Sequence, residues 1–212
     1  MAMSMLNLIT IAGYRSILNL EFRLKRLNVI CGANGSGKSN LYKALRLLAF
    51  TAQGNIAKAI AKEGGMKIQS EGEGELLNES IETIFPGSQL IIRRQGCSLW
   101  LELEIPGIQR SLHVSEFSDG TLRYLCLLAA LLSPIPAPLL VLNEPENSLH
   151  PDVILPLSNL IRRASTRSQV WVTTHSQQLA NLLSQDSHAK VMTLHKVDGE
   201  TKIMGQGIII ED

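Results

Sequence analysis

The sequence predicts an α/β fold: a mainly parallel sheet with crossover helices, preceded by an N-terminal antiparallel β subdomain. Three observations carry this prediction. A short apolar run, LNVIC at 27–31, leads into a glycine-rich loop and then an amphipathic stretch. From about residue 115 onward, helix and strand patterns alternate. Before residue 25 the apolar residues alternate with polar ones. Parallel neighbours cannot be joined by a tight turn, so strands separated by helices imply crossovers.

Each element has its own pattern. In ILNLEFRL, Leu18, Leu20, Phe22 and Leu24 fall on one face, while Asn19, Glu21 and Arg23 fall on the other. That is a half-buried strand. MLNLITIAGY is expected to be its antiparallel partner, and LNVIC a short buried strand. Leu41, Ala44, Leu45, Leu48 and Ala52 then recur at helical spacing. Asn55 is suited to cap a second short helix that Gly64 would stop. Residues 66–80, MKIQSEGEGELLNES, carry no packing pattern and are expected to form a linker or surface excursion. SQLIIRR and CSLWLELEI, joined by QG, predict a hairpin burying Leu99, Leu101, Leu103 and Ile105. The following helix shows Leu122, Leu125, Cys126, Ala129 and Leu132 at helical spacing. Two buried strands, LLVLN and VWVTT, flank a helix whose core face is Val153, Ile154, Leu157, Leu160, Ile161 and Ala164. VDGE at 197–200 closes a last hairpin. The whole chain, 1–212, is expected to be one head domain.

Composition narrows the function. With 45% hydrophobic and 18% charged residues the chain is globular rather than disordered. A net charge of +1 does not demand nucleic acid or an anionic membrane. Basic groups such as Arg23/Lys25/Arg26, Arg93/Arg94 and Arg162/Arg163/Arg167 could touch DNA, but no aromatic residues are interleaved with them as a stacking surface would need. Cys31, Cys97 and Cys126 lack metal-ligand spacing and are expected to stay reduced. The N-terminus lacks the charged-then-apolar pattern of a secretory signal, and the longest apolar run, YLCLLAALL, is too short to cross a bilayer. A soluble cytoplasmic protein with no membrane partner is the expectation.

GANGSGKS, Gly32 to Ser39, matches G-x-x-x-x-G-K-[ST] at every fixed position, between a buried strand and an amphipathic helix. Glycines let the backbone curl so that successive N–H groups face phosphate oxygens, and the helix N-terminus adds positive charge. Asn34, Gly35, Ser36, Gly37, Lys38, Ser39 and Asn40 are therefore the nucleotide-binding candidates. Lys38 can reach the β- and γ-phosphates, and the Ser39 hydroxyl can ligate Mg²⁺. Such a loop says nucleotide without saying which reaction.

A second anion site is possible at FSDGTLRY, where Ser118, Asp119 and Gly120 open a helix. Ordinary N-capping explains Ser118 equally well. LLVLNEPENSLHP presents an apolar strand ending in Asn143 and Glu144, where many nucleotide hydrolases carry two acids. A shifted reading with Glu146 as the base fails, because Pro145 interrupts the strand.

With GYRSI ahead of LNVICGANGSGKSN, then FSDGTLRY, LLVLNEPE and VWVTTHS, the chain resembles the RecF/SMC-like branch of ABC-type ATPases. Bacterial ATPases usually assigned to the AAA family are the nearest group. The match covers residues 5–55 and 115–185 well and the middle poorly. The resemblance implies an ABC-ATPase head that binds ATP and Mg²⁺ and forms a head-to-tail homodimer. In it Ser118, Asp119 and Gly120 would close over ATP held by the partner. It implies that Glu144 polarises the attacking water and that His175 touches the γ-phosphate, with Lys38 completing the catalytic set. Asn143 departs from the usual aspartate: its carbonyl can accept from magnesium-bound water but brings no charge. A slow ATPase switch and a non-hydrolysing nucleotide sensor with a weakened magnesium site both remain open. Relatives in this branch serve DNA repair, chromosome organisation and phage defence, with protein partners that the sequence does not name.

The NSLHP loop matches one that crosses the dimer interface in the family, where Asn147 and Ser148 are interface candidates and His150 a helix-entry residue. Arg15 is read as a surface residue that could approach the phosphates. The glutamine loop has four candidates, Gln53, Gln69, Gln89 and Gln95. SMC-like heads insert a coiled coil between phosphate loop and signature, whereas here Lys38 and Ser118 are 80 positions apart with no heptads between them. Residues 66–75 are therefore expected to mark a shortened or missing insert.

Overall fold

The computed structural model describes residues 5–52, 78–83, 85–95, 98–133 and 135–204. The Asn55–Gly64 helix, residues 66–77, Gln53, Gln69, Cys97 and the QG turn lie outside the described residues. So do the side chains of Leu48, Ala52 and Leu99. The chain divides into two compact units: Met1–Met66 with Ala137–Pro145 and Ser165–Asp212, and Lys67–Pro136 with Glu146–Ala164.

The first unit opens with the expected hairpin, β1 (Leu8–Tyr14) antiparallel to β2 (Ile17–Arg23). Ile9 pairs with Phe22 and Ile11 with Leu20, and all four are buried. Leu18 corrects the expected pattern, being 61% exposed. Ile17 beside it is fully buried instead, so the alternation slips by one position next to the hairpin turn.

A five-stranded sheet follows in the order β10-β9-β3-β8-β7. It comprises β3 (Leu27–Cys31), β7 (Leu139–Asn143), β8 (Gln169–Thr174), β9 (Ala189–Val197) and β10 (Glu200–Ile203). All its pairings are parallel except β9–β10, the predicted hairpin, whose Asp198 and Gly199 take φ of 51° and 82°. Both of those values suit a tight hairpin turn. All six residues of β8 are buried, because it has a strand on each side and both faces covered. Two buried polar side chains there are satisfied: Asn28 donates to the Lys25 and Val170 carbonyls, and the Gln169 amide donates to those of Leu6 and Lys25.

Helix α1 (Lys38–Ala52) buries Leu41, Ala44 and Leu45 in one core with the hairpin, Ile30, Trp171, Met192 and Leu194. Trp171 meets Phe22 edge-on, with centroids 5.4 Å apart. Each fully buried aliphatic side chain contributes about 1.5–3 kcal/mol. Helix α4 (Gln177–Ser184) buries Leu179, Ala180 and Leu183.

The second unit holds a three-stranded antiparallel sheet, β4 (Gln89–Gln95), β5 (Ser98–Glu104) and β6 (Leu112–His113). The first two are the predicted hairpin. Leu103 is fully buried while Leu101 and Ile105 are half-buried. Residues 78–83 are helical, although 78–80 were expected within a linker: Ser80 and Ile81 are buried, and Tyr124 donates its hydroxyl to the Ser80 carbonyl at 3.4 Å.

Helix α2 (Asp119–Leu131) is where expected, but its buried face is Tyr124, Leu128 and Leu131. Cys126 and Ala129, assigned to the core from spacing, are exposed. YLCLLAALL is apolar all round, so periodicity cannot choose a face. Helix α3 (Ile154–Ser165), together with Val153 just before it, buries all six residues expected of it. No helix among the described residues is long and apolar enough to cross a membrane.

Candidate nucleotide site

Three loops leave the sheet side by side because of its register. Cys31 pairs with Thr174, and Thr173 pairs with Asn143. The loops starting at Gly32, His175 and Glu144 therefore emerge together at the carboxyl end of the sheet, where α/β proteins bind ligands.

The phosphate loop is shaped by its glycines. Gly35 and Gly37 have φ of 81° and 106°, values that L side chains rarely adopt. A Cβ on Gly37 would strike the Thr201 side chain, and one on Gly32 would lie 2.6 Å from the Leu194 carbonyl oxygen. Lys38 is 4% exposed, and its Nζ donates to the carbonyls of Gly32 at 2.6 Å and Ala33 at 3.0 Å. The loop's own carbonyls thus hold the ammonium over the cradle. Ser36 is buried, and its hydroxyl finds no partner among the described residues.

Asn34, Gly35, Gly37, Lys38, Ser39, Asn40, Glu144 and Lys196 line one cavity of about 220 Å³. The amide of Asn40 donates to Ser16 Oγ at 2.8 Å, and Ser16 shares a 2.8 Å hydrogen bond with Thr201 Oγ1. Arg15, two residues from Ile17 at the hairpin turn, has φ of 55° and lies over the Tyr14 ring at 5.7 Å.

Glu144 sits at φ 47°, a conformation costing about 1–2 kcal/mol for a side chain with a Cβ. Its N–H donates to the Thr173 carbonyl at 2.8 Å, which turns the chain sharply out of β7. Such strain is typical of functional positions. Glu144 Oε1 lies 3.7 Å from His175 Nδ1. Asn143 Oδ1 accepts from the Thr173 hydroxyl at 2.8 Å. Ser39 and Glu144 line one cavity, and a hydroxyl and a carboxylate are oxygen donors of the kind that fits a magnesium ion.

In the second unit, Ser118 is the N-cap of α2, its Oγ accepting from Thr121 N at 3.1 Å. Asp119 adds an acid to the first turn, favourable at a helix N-terminus. A Cβ on Gly120 would lie 2.5 Å from the Ser148 carbonyl oxygen. Close packing on the NSLHP turn therefore requires a glycine here. Ser148 itself has φ of 65°, and His150 caps the short helix Pro151–Val153, as its helix-entry reading expected.

Residues 5–119, more than half of the chain, match the family described as "AAA ATPase domain". The chain belongs to the AAA ATPase domain family. Residues 101–181 also match the family described as "AAA domain, putative AbiEii toxin, Type IV TA system". A Mycoplasma genitalium protein described as "Putative ABC transporter ATP-binding" is 28% identical over 151 residues, 68% of this chain and 22% of that protein. The chain thus spans about a fifth of the length of that curated relative.

Among solved structures, an SMC head bound to the C-winged helix domain of ScpA superposes with a TM-score of 0.68 at 16% identity, covering 92% of this chain and 95% of that one. The SMC head domain from Thermotoga maritima gives 0.57 at 16% identity, covering 93% and 97%. At such identities the likeness concerns fold alone: this AAA ATPase domain is an SMC-head-like α/β structure.

Sequence reasoning missed Thr173, Ser16, Thr201 and Lys196. The first three act through hydrogen bonds that only a register reveals. Lys196 carried one usable signal, its place at the end of a strand in the parallel set.

Proposed function

We propose that this AAA-family domain binds Mg-ATP at the phosphate loop, hydrolyses it slowly and uses the cycle as a dimerisation switch. The observation that carries the reading is the single cavity lined by Lys38, Ser39 and Glu144, with His175 3.7 Å from the Glu144 carboxylate. Lys38 exchanges its two carbonyl acceptors for β- and γ-phosphate oxygens. Glu144 accepts a hydrogen bond from the attacking water and aligns it with the γ-phosphorus as the bond to the leaving ADP oxygen breaks. His175 donates to the γ-phosphate and also orients Glu144. Ser39, with Asn143 acting through a water, would hold magnesium, which would supply charge neutralisation when bound.

Ser118, Asp119 and Gly120 complete the site on the partner of a head-to-tail homodimer. That assignment rests on the signature resemblance and the SMC-head-like fold. Roles in DNA repair, chromosome maintenance or phage defence make DNA the first effector to add.

Mg-ATP turnover, with and without DNA, is the test. Lys38→Ala should lose binding and turnover together. Glu144→Gln should lose turnover, keep binding and accumulate an ATP-dependent dimer by light scattering. A monomer at saturating Mg-ATP in that variant would refute the switch.

Asn143, neutral and already bonded to Thr173, favours a second reading: a nucleotide-sensing interaction module without turnover. ATP affinity without turnover above buffer, unimproved by Asn143→Asp, would carry that reading instead.

A further inference from the structure

We propose that Lys196 is a second cation for the nucleotide's polyphosphate chain, delivered from the terminal hairpin to the phosphate loop of its own chain. This rests on the nucleotide reading above. Strand β9 is a parallel neighbour of β3, with Thr193 beside Cys31, so its carboxyl end emerges next to the loop. Lys196 pairs directly with Thr201 across β9–β10, and cross-strand partners share a face. Thr201 is fully buried, abuts Gly37 and shares its hydroxyl with Ser16. The hairpin is thus pinned against the loop on the face that carries Lys196.

Charge agrees with this placement. Lys196 lines the cavity with Lys38 and Glu144, giving two ammonium groups against one carboxylate. The nearby acid Glu200 belongs to Lys202 on the other face, at 3.3 Å. Among the described residues Lys196 forms no ion pair. Lys38 reaches the cradle from within the loop, whereas Lys196 reaches it from the rim on a flexible four-carbon stem that suits a point charge for phosphate.

The test is displacement of a fluorescent ATP analogue by ATP and by inorganic tripolyphosphate, in wild type, Lys38→Ala, Lys196→Met, Lys196→Arg and Lys202→Met. Loss of one charge-assisted contact should weaken both competitors roughly tenfold in Lys196→Met. Lys196→Arg should recover most of that affinity, and Lys202→Met should match wild type. Since Lys196 is exposed, its variants should melt with the wild type. Unchanged displacement in Lys196→Met, beside a defective Lys38→Ala, would overturn the proposal while leaving the ATP site standing. An equal loss in Lys202→Met would reduce the effect to general surface charge and also overturn it. If the wild type fails to bind the analogue, the nucleotide reading falls and takes this one with it.

Discussion

In the proposed function, Asn143 is the residue on which magnesium binding turns. Its Oδ1 already accepts the Thr173 hydroxyl, and an aspartate could keep that bond while adding a negative charge toward magnesium. Charge-assisted hydrogen bonds contribute about 1.5–3 kcal/mol against about 0.5–1.5 for neutral ones. Asn143→Asp should therefore tighten the magnesium requirement for ATP binding by about fivefold, for a gain of about 1 kcal/mol. Magnesium titration of ATP affinity measures this, and an unchanged midpoint would mean that Asn143 lies outside the magnesium shell. Glu144 was legible as the residue after an apolar strand, but its left-handed backbone was not. Nothing in the letters LNEP says that Thr173 on another strand will turn the chain there.

Among the elements, the approach to α2 carries a distinct electrostatic device. Arg110 donates two hydrogen bonds to Glu116, at 2.6 and 2.8 Å, and His113 N–H adds a third at 3.0 Å. The guanidinium first, and the backbone N–H second, lower the Glu116 carboxyl from 4.5 to about 2. A carboxyl depressed in the folded state adds stability above its unfolded value and loses it as pH falls through the folded one. Glu116→Gln should therefore lower the urea midpoint at pH 7, with the gap to wild type closing between pH 4.5 and about 2. A gap that persists at the acid end would assign the effect to shape rather than charge. This segment also shows why α2 was only half legible. Its Ser118 cap and its length were readable, but a helix apolar on every side carries no sign of which stripe will be buried.

At the scale of the whole molecule, the proposed head-to-tail arrangement makes a prediction that no single variant can. Lys38→Ala removes the phosphate loop's cation, and Ser118→Arg blocks the exposed signature position. Each should be inactive alone. Mixed, they should regain turnover, because one of the two composite sites in the mixed dimer pairs an intact loop with an intact signature. Turnover no greater than the sum of the separate variants would argue that each chain works by itself.

The sequence by itself determined the layout. The period of its apolar residues set strand against helix, and the spacing of glycine, lysine and serine set the phosphate cradle, because these are local properties of a few consecutive residues. The order of GANGSGKS, FSDGT, NEPE and TTHS was enough to indicate the fold and a nucleotide. Only the tertiary structure decided which side chains share the cavity. Lys196 and Thr201 lie more than 150 positions from the loop they flank. Strand register is a pairing between distant segments, settled by the packing of both sheet faces together and not by either segment alone.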